Sequence, residues 1–337
     1  MDANIATSAN LQYGRRTVDT AQDHTRQMRV SVVIASYNIE DFIVSAVESM
    51  LQQSFGDLNV IVVDDASTDQ TWVRLQTIQD ERLITHRLPV HCGISTARNI
   101  GAQLAADSEF IAVMDGDDIS VADRIERQVR FLETNPAIHI VGGQIEFFQD
   151  SLSNSIGRPK HPLTDDVIKA RLVLINGTAL VHPTTLVRTR FLQRNHLAYP
   201  PPVRGVIGED HDLWISMIPY GVRFAALPDL LLYKRRHKTN VARRTNEAGR
   251  LATLKTVSRA RFISTVYPSL NRVEAYHLAV LFEEHKQLGA AQLAQSHAMV
   301  KKVAPLQQSV FGENKKLLAQ LFVRAFEDKK RLKENSE

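Results

Sequence analysis

The chain reads as an α/β protein whose mostly parallel sheet is flanked by helices and followed by a helical C-terminal region. Three observations predict this. Short, near-continuous apolar runs alternate with segments whose apolar residues recur at helical spacing, the pattern of a sheet covered on both faces. Several of the apolar runs end in polar, aspartate-rich loops, and strand tips of open α/β sheets are where such folds bind ligands. Beyond residue 250 only helical periodicity remains.

Val30-Ser31-Val32-Val33-Ile34-Ala35 is the first strand, and Phe42, Ile43, Ala46, Val47, Met50 and Leu51 then mark the buried face of a helix. Val60-Ile61-Val62-Val63 is a second buried strand, running into Asp64-Asp65-Ala66-Ser67-Thr68-Asp69. Asp64 and Asp65 suit the cap of the next helix, which carries Trp72, Leu75 and Ile78. A short strand near Leu83-Ile84 follows, then a helix with Ala97, Ile100, Gly101, Leu104 and Ala105. Phe110-Ile111-Ala112-Val113-Met114 is the next strand, and it delivers Asp115-Gly116-Asp117-Asp118 at its tip. Paired carboxylates there offer the oxygen ligands that Mg²⁺ or Mn²⁺ takes beside a substrate diphosphate; a polar turn is the plainer reading. Asp118 is expected to cap the helix containing Arg124, Ile125, Val129 and Leu132. Glu209 and Asp210 open a helix bearing Leu213, Trp214 and Met217, where acids complement the helix dipole. In the tail, Leu278, Leu281, Phe282 and Leu288 form one apolar stripe and Leu317, Leu318, Leu321, Phe322 and Phe326 another.

At 337 residues, 44% hydrophobic and 23% charged, the chain has an ordinary globular composition with length for one large domain or two smaller ones. Its single cysteine, Cys92, rules out an intramolecular disulfide and fits a reducing, cytoplasmic setting. No apolar run approaches the roughly 20 residues of a membrane span. Residues 1–28 lack an apolar signal core and read as a disordered arm. The formal charge of +4 is uneven: ten Lys/Arg against Glu247 alone lie between Tyr233 and Arg261. Such a stretch attracts phosphates or anionic lipid, or is a solvated helical face. It lacks interleaved aromatics, which argues against nucleic acid.

Five segments in order carry a resemblance. Val32-Val33-Ile34-Ala35-Ser36-Tyr37-Asn38, Val62-Val63-Asp64-Asp65-Ala66-Ser67-Thr68-Asp69, Gly93-Ile94-Ser95-Thr96-Ala97-Arg98-Asn99-Ile100-Gly101, Met114-Asp115-Gly116-Asp117-Asp118 and Gly208-Glu209-Asp210-His211-Asp212-Leu213-Trp214 together resemble family 2 glycosyltransferases of the GT-A fold. The resemblance covers about residues 29–240. It implies a GT-A domain over 29–245 with a helical extension over 246–337, and an inverting, metal-dependent transfer from a nucleotide-sugar donor to a glycan or lipid-linked acceptor.

The resemblance also implies site residues. Asp65 would accept the nucleobase imide N–H, which suits UDP- or dTDP-sugars because an ionised carboxylate is acceptor-only. Tyr37 would stack on the base, with Ala35, Asn38 and Gly116 lining the donor site. The family often has Thr or Pro where Ala35 stands, so no hydroxyl contact carries over there. Arg98 and Asn99 fall where an Ala-Arg-Asn segment lies near ribose and diphosphate, Arg98 otherwise bridging to the carboxylate loop. Asp117 would ligate the metal, Asp115 the metal or the ribose, and His237, in the segment Tyr233-Lys234-Arg235-Arg236-His237, the metal or phosphate. Asp210 takes the catalytic-base position, and Glu209, His182 and Trp214 the acceptor side, although Trp214 reads as a core residue before a sugar platform. Lys301, Lys302, Lys315, Lys316, Lys329, Lys330 and Arg331 would suit peripheral contact with anionic membrane. Two alternatives stay open: a catalytically silent binding module of the same fold, and a sugar nucleotidyltransferase. The latter needs a glycine-rich phosphate loop after the first strand, where this chain has Ala35-Ser36-Tyr37-Asn38.

Overall fold

The computed structural model describes residues 28–174, 179–201, 208–237, 250–283, 287–306 and 316–334. Among these residues nine strands form one sheet: β1 (Val30–Ser36), β2 (Leu58–Asp64), β3 (Leu83–Arg87), β4 (Phe110–Asp115), β5 (Ile119–Ser120), β6 (Ile140–Gln149), β7 (Ser151–Gly157), β8 (Leu186–Arg188) and β9 (Phe224–Arg235). Their order is β3-β2-β1-β4-β8-β6-β9-β5, with β7 hanging from β6. The four long ladders, β1/β2, β1/β4, β2/β3 and β6/β9, are parallel. Each antiparallel ladder registers three residue pairs or fewer. The expected parallel arrangement thus holds across β1–β4, and the sheet turns mixed beyond β4.

The helices are α1 (Ile43–Leu51), α2 (Thr71–Leu75), α3 (Ile94–Leu104), α4 (Arg124–Thr134), α5 (Asp165–Leu174), α6 (Thr189–Arg194) and α7 (Glu209–Met217), then α8 (Arg250–Val266), α9 (Arg272–Ala279), α10 (Ala290–Val303) and α11 (Leu317–Glu334). Side chains alternate across a strand, so β1 serves two cores. Val30, Val32 and Ile34 pack with α1 and α4, while Val33 packs with Ala97 of α3 and with Ile61, Val63 and Ile111. Gly101 lets α3 lie directly on β1, because a Cβ there would sit 2.3 Å from Val33 Cγ1.

Two local expectations give way to tertiary contacts. Helix α2 begins only at Thr71, whose N–H is accepted by Asp69. Asp64 instead accepts the Ser67 N–H at 3.1 Å, and Asp65 accepts from Cys92 and Gly93, so neither caps a helix. Asp118 does not cap α4, whose capping position is Asp123. The short strand β5 intervenes and pairs with β9, which carries Asp118 to the end of that strand.

The C-terminal helices share one hydrophobic core with α7 and the sheet. Phe262, Ile263, Tyr267, Leu278, Phe282 and Phe322 pack in the same cluster as Trp214, Met217 and Phe224. The stripe through Leu278 is broken rather than one helix: α9 ends at Ala279 and a 3-10 turn carries Leu281 and Phe282 into the core. Asn271 and Glu274 form a capping box that starts α9. Among the described residues no helix is long and apolar enough to cross a membrane. The basic stretch is not one solvated face, since Arg259 is fully buried and exposed Arg261 pairs with Asp212 at 3.2 Å. Lys238, Arg243, Arg244, Glu247 and Lys315 lie outside the described residues, as do the N-terminal arm up to residue 27 and the expected domain boundary at 245.

Candidate active site

The loops at the C-terminal ends of β1 and β2 are stapled to each other. Asn38, at φ 51°, accepts the Thr68 N–H on its side-chain oxygen at 2.8 Å, and its own N–H donates to Ser67 Oγ at 3.0 Å. Asp65 is buried and holds the β3–α3 loop: its two oxygens accept the Cys92 N–H at 2.7 Å and the Gly93 N–H at 2.8 Å. Gly93 adopts φ 89°, where a side chain would be strained. His91 Nδ1 lies 2.9 Å from Asp65 Oδ2, and its ring stacks on exposed Tyr37 with centroids 4.0 Å apart. Ala35 is half-buried and in register with Asp115. Gly116 is buried, and a Cβ there would meet Ile39 Cδ1 at 2.5 Å, so it closes the packing beneath the loop.

Past β4 the carboxylates gather. Asp115, Asp117 and Asp118 offer oxygen atoms within 4.8 Å of one another, a set that suits a hard divalent cation. Lys234 on β9 reaches both Asp115 and Asp118 at 3.1 Å. Asp118, fully buried, also accepts the Arg235 N–H at 2.9 Å. Asp117 meets His237 Nε2 at 2.9 Å through its carboxylate and Arg235 Nε at 2.9 Å through its carbonyl. The Arg235 guanidinium lies over the rings of both Phe42 and Phe148, at 5.0 and 4.5 Å. A cleft of about 530 Å³ opens against Asn38, Phe42, Asp69, Arg236 and His237.

Arg98 joins this cluster to α7. Its guanidinium is buried and donates to Asp115 at 2.9 Å and to Glu209 at 2.5 Å. An unbroken ion-pair chain therefore runs Glu209–Arg98–Asp115–Lys234, and Lys234 also reaches Asp118 at 3.1 Å. Burial opposes the charge on Arg98 and on Lys234, but the carboxylates beside each outweigh it and hold both above their ordinary range. Burial likewise works against Asp115, yet Lys234 and Arg98 keep it far below the usual carboxylate range. Asp118 goes the other way: burial, with Asp117 and Asp115 adding to it against Lys234, pushes its carboxyl up to about 8.

Asp210 is the second residue of α7, half-buried, accepting the His211 N–H at 2.7 Å. Its charge acts on Arg98 and on Tyr199. His182 is buried, with Nε2 2.7 Å from the Tyr199 hydroxyl, and burial followed by Arg98 drives its imidazole well below the ordinary value. Asn99 turns from the loops to clamp Tyr199, donating to its carbonyl at 3.0 Å and accepting its N–H at 2.9 Å. Trp214 is 2% exposed and packs on Phe224 in the core, which leaves no face for a sugar. Lys234, Tyr199 and His91 were not singled out from the sequence. Lys234 alone carried a signal, as a cation three residues before His237 in the same segment.

The Glycosyl transferase family 2 model matches residues 31–194, the span from β1 through α6. UDP-Glc:alpha-D-GlcNAc-diphosphoundecaprenol beta-1,3-glucosyltransferase WfaP of Escherichia coli is 30% identical over 197 residues, covering 58% of this chain and 72% of that protein. The chain belongs to glycosyltransferase family 2. As a family 2 glycosyltransferase it has the GT-A fold of solved relatives. S. aureus TarS 1-349 in complex with UDP-GlcNAc superposes with a TM-score of 0.55 at 20% identity, over 82% of each chain. The mannosyltransferase PcManGT from Pyrobaculum calidifontis, in complex with GDP-Man and Mn2+, gives 0.51 at 16% identity over 94% of this chain and 90% of that one.

Proposed function

We propose that this glycosyltransferase moves a sugar, with inversion, from a UDP- or dTDP-sugar to an acceptor hydroxyl in cell-surface glycan assembly, using a divalent cation. The observation that carries the reading is the ion-pair chain from Glu209 through Arg98 and Asp115 to Lys234, which couples the helix bearing Asp210 to the three-aspartate cluster. A buried cluster in which the Asp118 carboxyl resists ionising is short of positive charge, a deficit that a bound cation relieves. Asp117 and Asp115, with His237 beside them, would hold Mn²⁺ or Mg²⁺, whose charge offsets that developing on the departing diphosphate. Lys234 and Arg235 add fixed positive charge on the same side.

Asp210 acts as the general base that takes the proton of the acceptor hydroxyl, and Arg98 with Glu209 orients its helix. Asp65 accepts the N3–H of uracil or thymine while Tyr37 stacks on the ring. WfaP is named for UDP-Glc and TarS is in complex with UDP-GlcNAc, which supports that base preference. PcManGT is in complex with GDP-Man, so on this reading the base is chosen by local residues such as Asp65 and not by the fold. The diphosphoundecaprenol acceptor in the name of WfaP supports a lipid-linked acceptor here. Exposed Lys301, Lys302, Lys330 and Arg331 on the C-terminal helices, and Lys316 just before α11, fit contact with the inner, anionic face of a membrane, whereas Lys329 is buried and takes no part. The division into a GT-A domain over 29–245 and a helical extension over 246–337 belongs to the same proposal.

A thermal-shift screen of nucleotide sugars with Mn²⁺ tests the reading, because a ligand that binds only the native state raises its stability. A UDP- or dTDP-sugar should raise the melting temperature most. Stabilisation by ADP- or GDP-sugars alone would contradict it.

A further inference from the structure

Every contact that the proposed function assigns to a nucleobase is already made by His91. A base in that reading stacks on Tyr37 and gives an N–H to Asp65. The imidazole of His91 lies on the Tyr37 ring with centroids 4.0 Å apart and an interplanar angle of 25°. Its Nδ1 stands 2.9 Å from Asp65 Oδ2. Carboxylate oxygens only accept, so Nδ1 carries the proton and donates, as a base imide would.

We propose that His91 is an internal surrogate for the nucleobase, a latch that fills the base pocket of the empty enzyme and swings out when the donor binds. The inference rests on the assignment of Asp65 and Tyr37 as the base site.

The surrounding loop is built for such a swing. The backbone directly after His91 is tied down, because Asp65 also accepts the Cys92 and Gly93 N–H groups at 2.7 and 2.8 Å. Those bonds do not depend on the imidazole. The His91 side chain is 53% exposed, so rotation carries it into water without opening the core. A ring inserted between Tyr37 and His91 would need close to twice the present 4.0 Å separation, so the stack as it stands excludes a base from that face. Asp65 itself is buried, and when His91 leaves, the vacated acceptor position on Oδ2 becomes the one open to an imide.

The latch sets a selectivity as well as a cost. Only a ligand that both stacks and donates to Asp65 repays the loss of the two His91 contacts. A sugar diphosphate without a base, or a base presenting an acceptor at that edge, leaves the latch closed.

Calorimetric titration of UDP with Mn²⁺ into the wild type, His91→Ala, His91→Phe, Tyr37→Ala and Asp65→Asn tests this, with unfolding curves to confirm that each variant folds. Removing the competitor should tighten UDP binding to His91→Ala by roughly 2- to 12-fold, the range of one ordinary net hydrogen bond. His91→Phe keeps the stacked ring and drops the hydrogen bond, so it should gain less than His91→Ala. Inorganic pyrophosphate should bind wild type and His91→Ala alike. If Tyr37→Ala and Asp65→Asn weaken UDP while His91→Ala leaves it unchanged or weaker, the latch is wrong and the base site stands. If none of the Tyr37, Asp65 and His91 variants alters UDP affinity, the base-site assignment fails and the latch with it.

Discussion

Replacing Arg98 by Met should cost about 3 kcal/mol of folding stability. Arg98 is 5% exposed and serves two carboxylates, Asp115 at 2.9 Å and Glu209 at 2.5 Å. Removing one partner of a buried pair typically costs about 3–5 kcal/mol, because the remaining charge is left uncompensated. Two features of the site put the expectation at the lower end. Asp115 keeps Lys234 at 3.1 Å, and Glu209 still accepts the Gly208 N–H at 2.9 Å. At roughly 2 °C per kcal/mol for a chain of this size, the melting temperature should drop by about 6 °C. Urea unfolding followed by circular dichroism measures the same quantity. Arg98→Lys should lose less, since it keeps a charge, but a single ammonium lacks the fork that reaches both acids. Adding Glu209→Gln to Arg98→Met should recover part of the loss by removing the orphaned charge. A loss below about 1 kcal/mol in Arg98→Met, or a double variant weaker than the single, would refute the bridging role.

Three further outcomes are expected. UDP should bind more tightly with Mn²⁺ or Mg²⁺ than with EDTA, and Asp117→Ala should erase that difference; metal-independent binding in the wild type would reduce the cluster to a turn. UDP or dTDP should bind more tightly than GDP or ADP in calorimetric titration, and equal or tighter GDP binding would remove Asp65 from base recognition. Because burial and Arg98 hold the His182 imidazole below its ordinary 6.5, the unfolded chain takes up this proton first as the solution is acidified. The stability from a neutral His182 is thus present above pH 6.5 and lost as pH falls, by up to about 1.4 kcal/mol per pH unit. The stability advantage of the wild type over His182→Asn should shrink between pH 6.5 and 5.5, and a constant difference would contradict the buried, neutral assignment.

The parallel half of the sheet was legible because its strands are covered on both faces and read as continuous apolar runs. β1, β2 and β4 are nearly all buried residues. Their polar ends were legible too, since aspartates directly after such runs can only lie at strand tips. What the sequence hid is pairing between distant segments. Lys234 and Asp115 are separated by 119 residues, and no local pattern joins them. Asp118 shows the same limit from the other side. A helix-cap rule suits it locally, but pairing of β5 with β9 draws it to Lys234 and the Arg235 N–H. Tyr199 belongs to no motif, and only the folded chain shows Asn99 gripping its backbone. Trp214 could have served core or site by residue type, and packing on Phe224 decides for the core.

The most direct test of the central claim is turnover by Asp210→Asn, measured together with its melting temperature. Asparagine keeps the shape and can still accept the His211 N–H, but it lacks the basicity to take a hydroxyl proton. Transfer should fall by about 10²–10⁴-fold, the usual effect of losing a general base, while UDP affinity and melting temperature stay near the wild-type values. A variant of normal stability that transfers sugar at the wild-type rate would remove Asp210 from the mechanism.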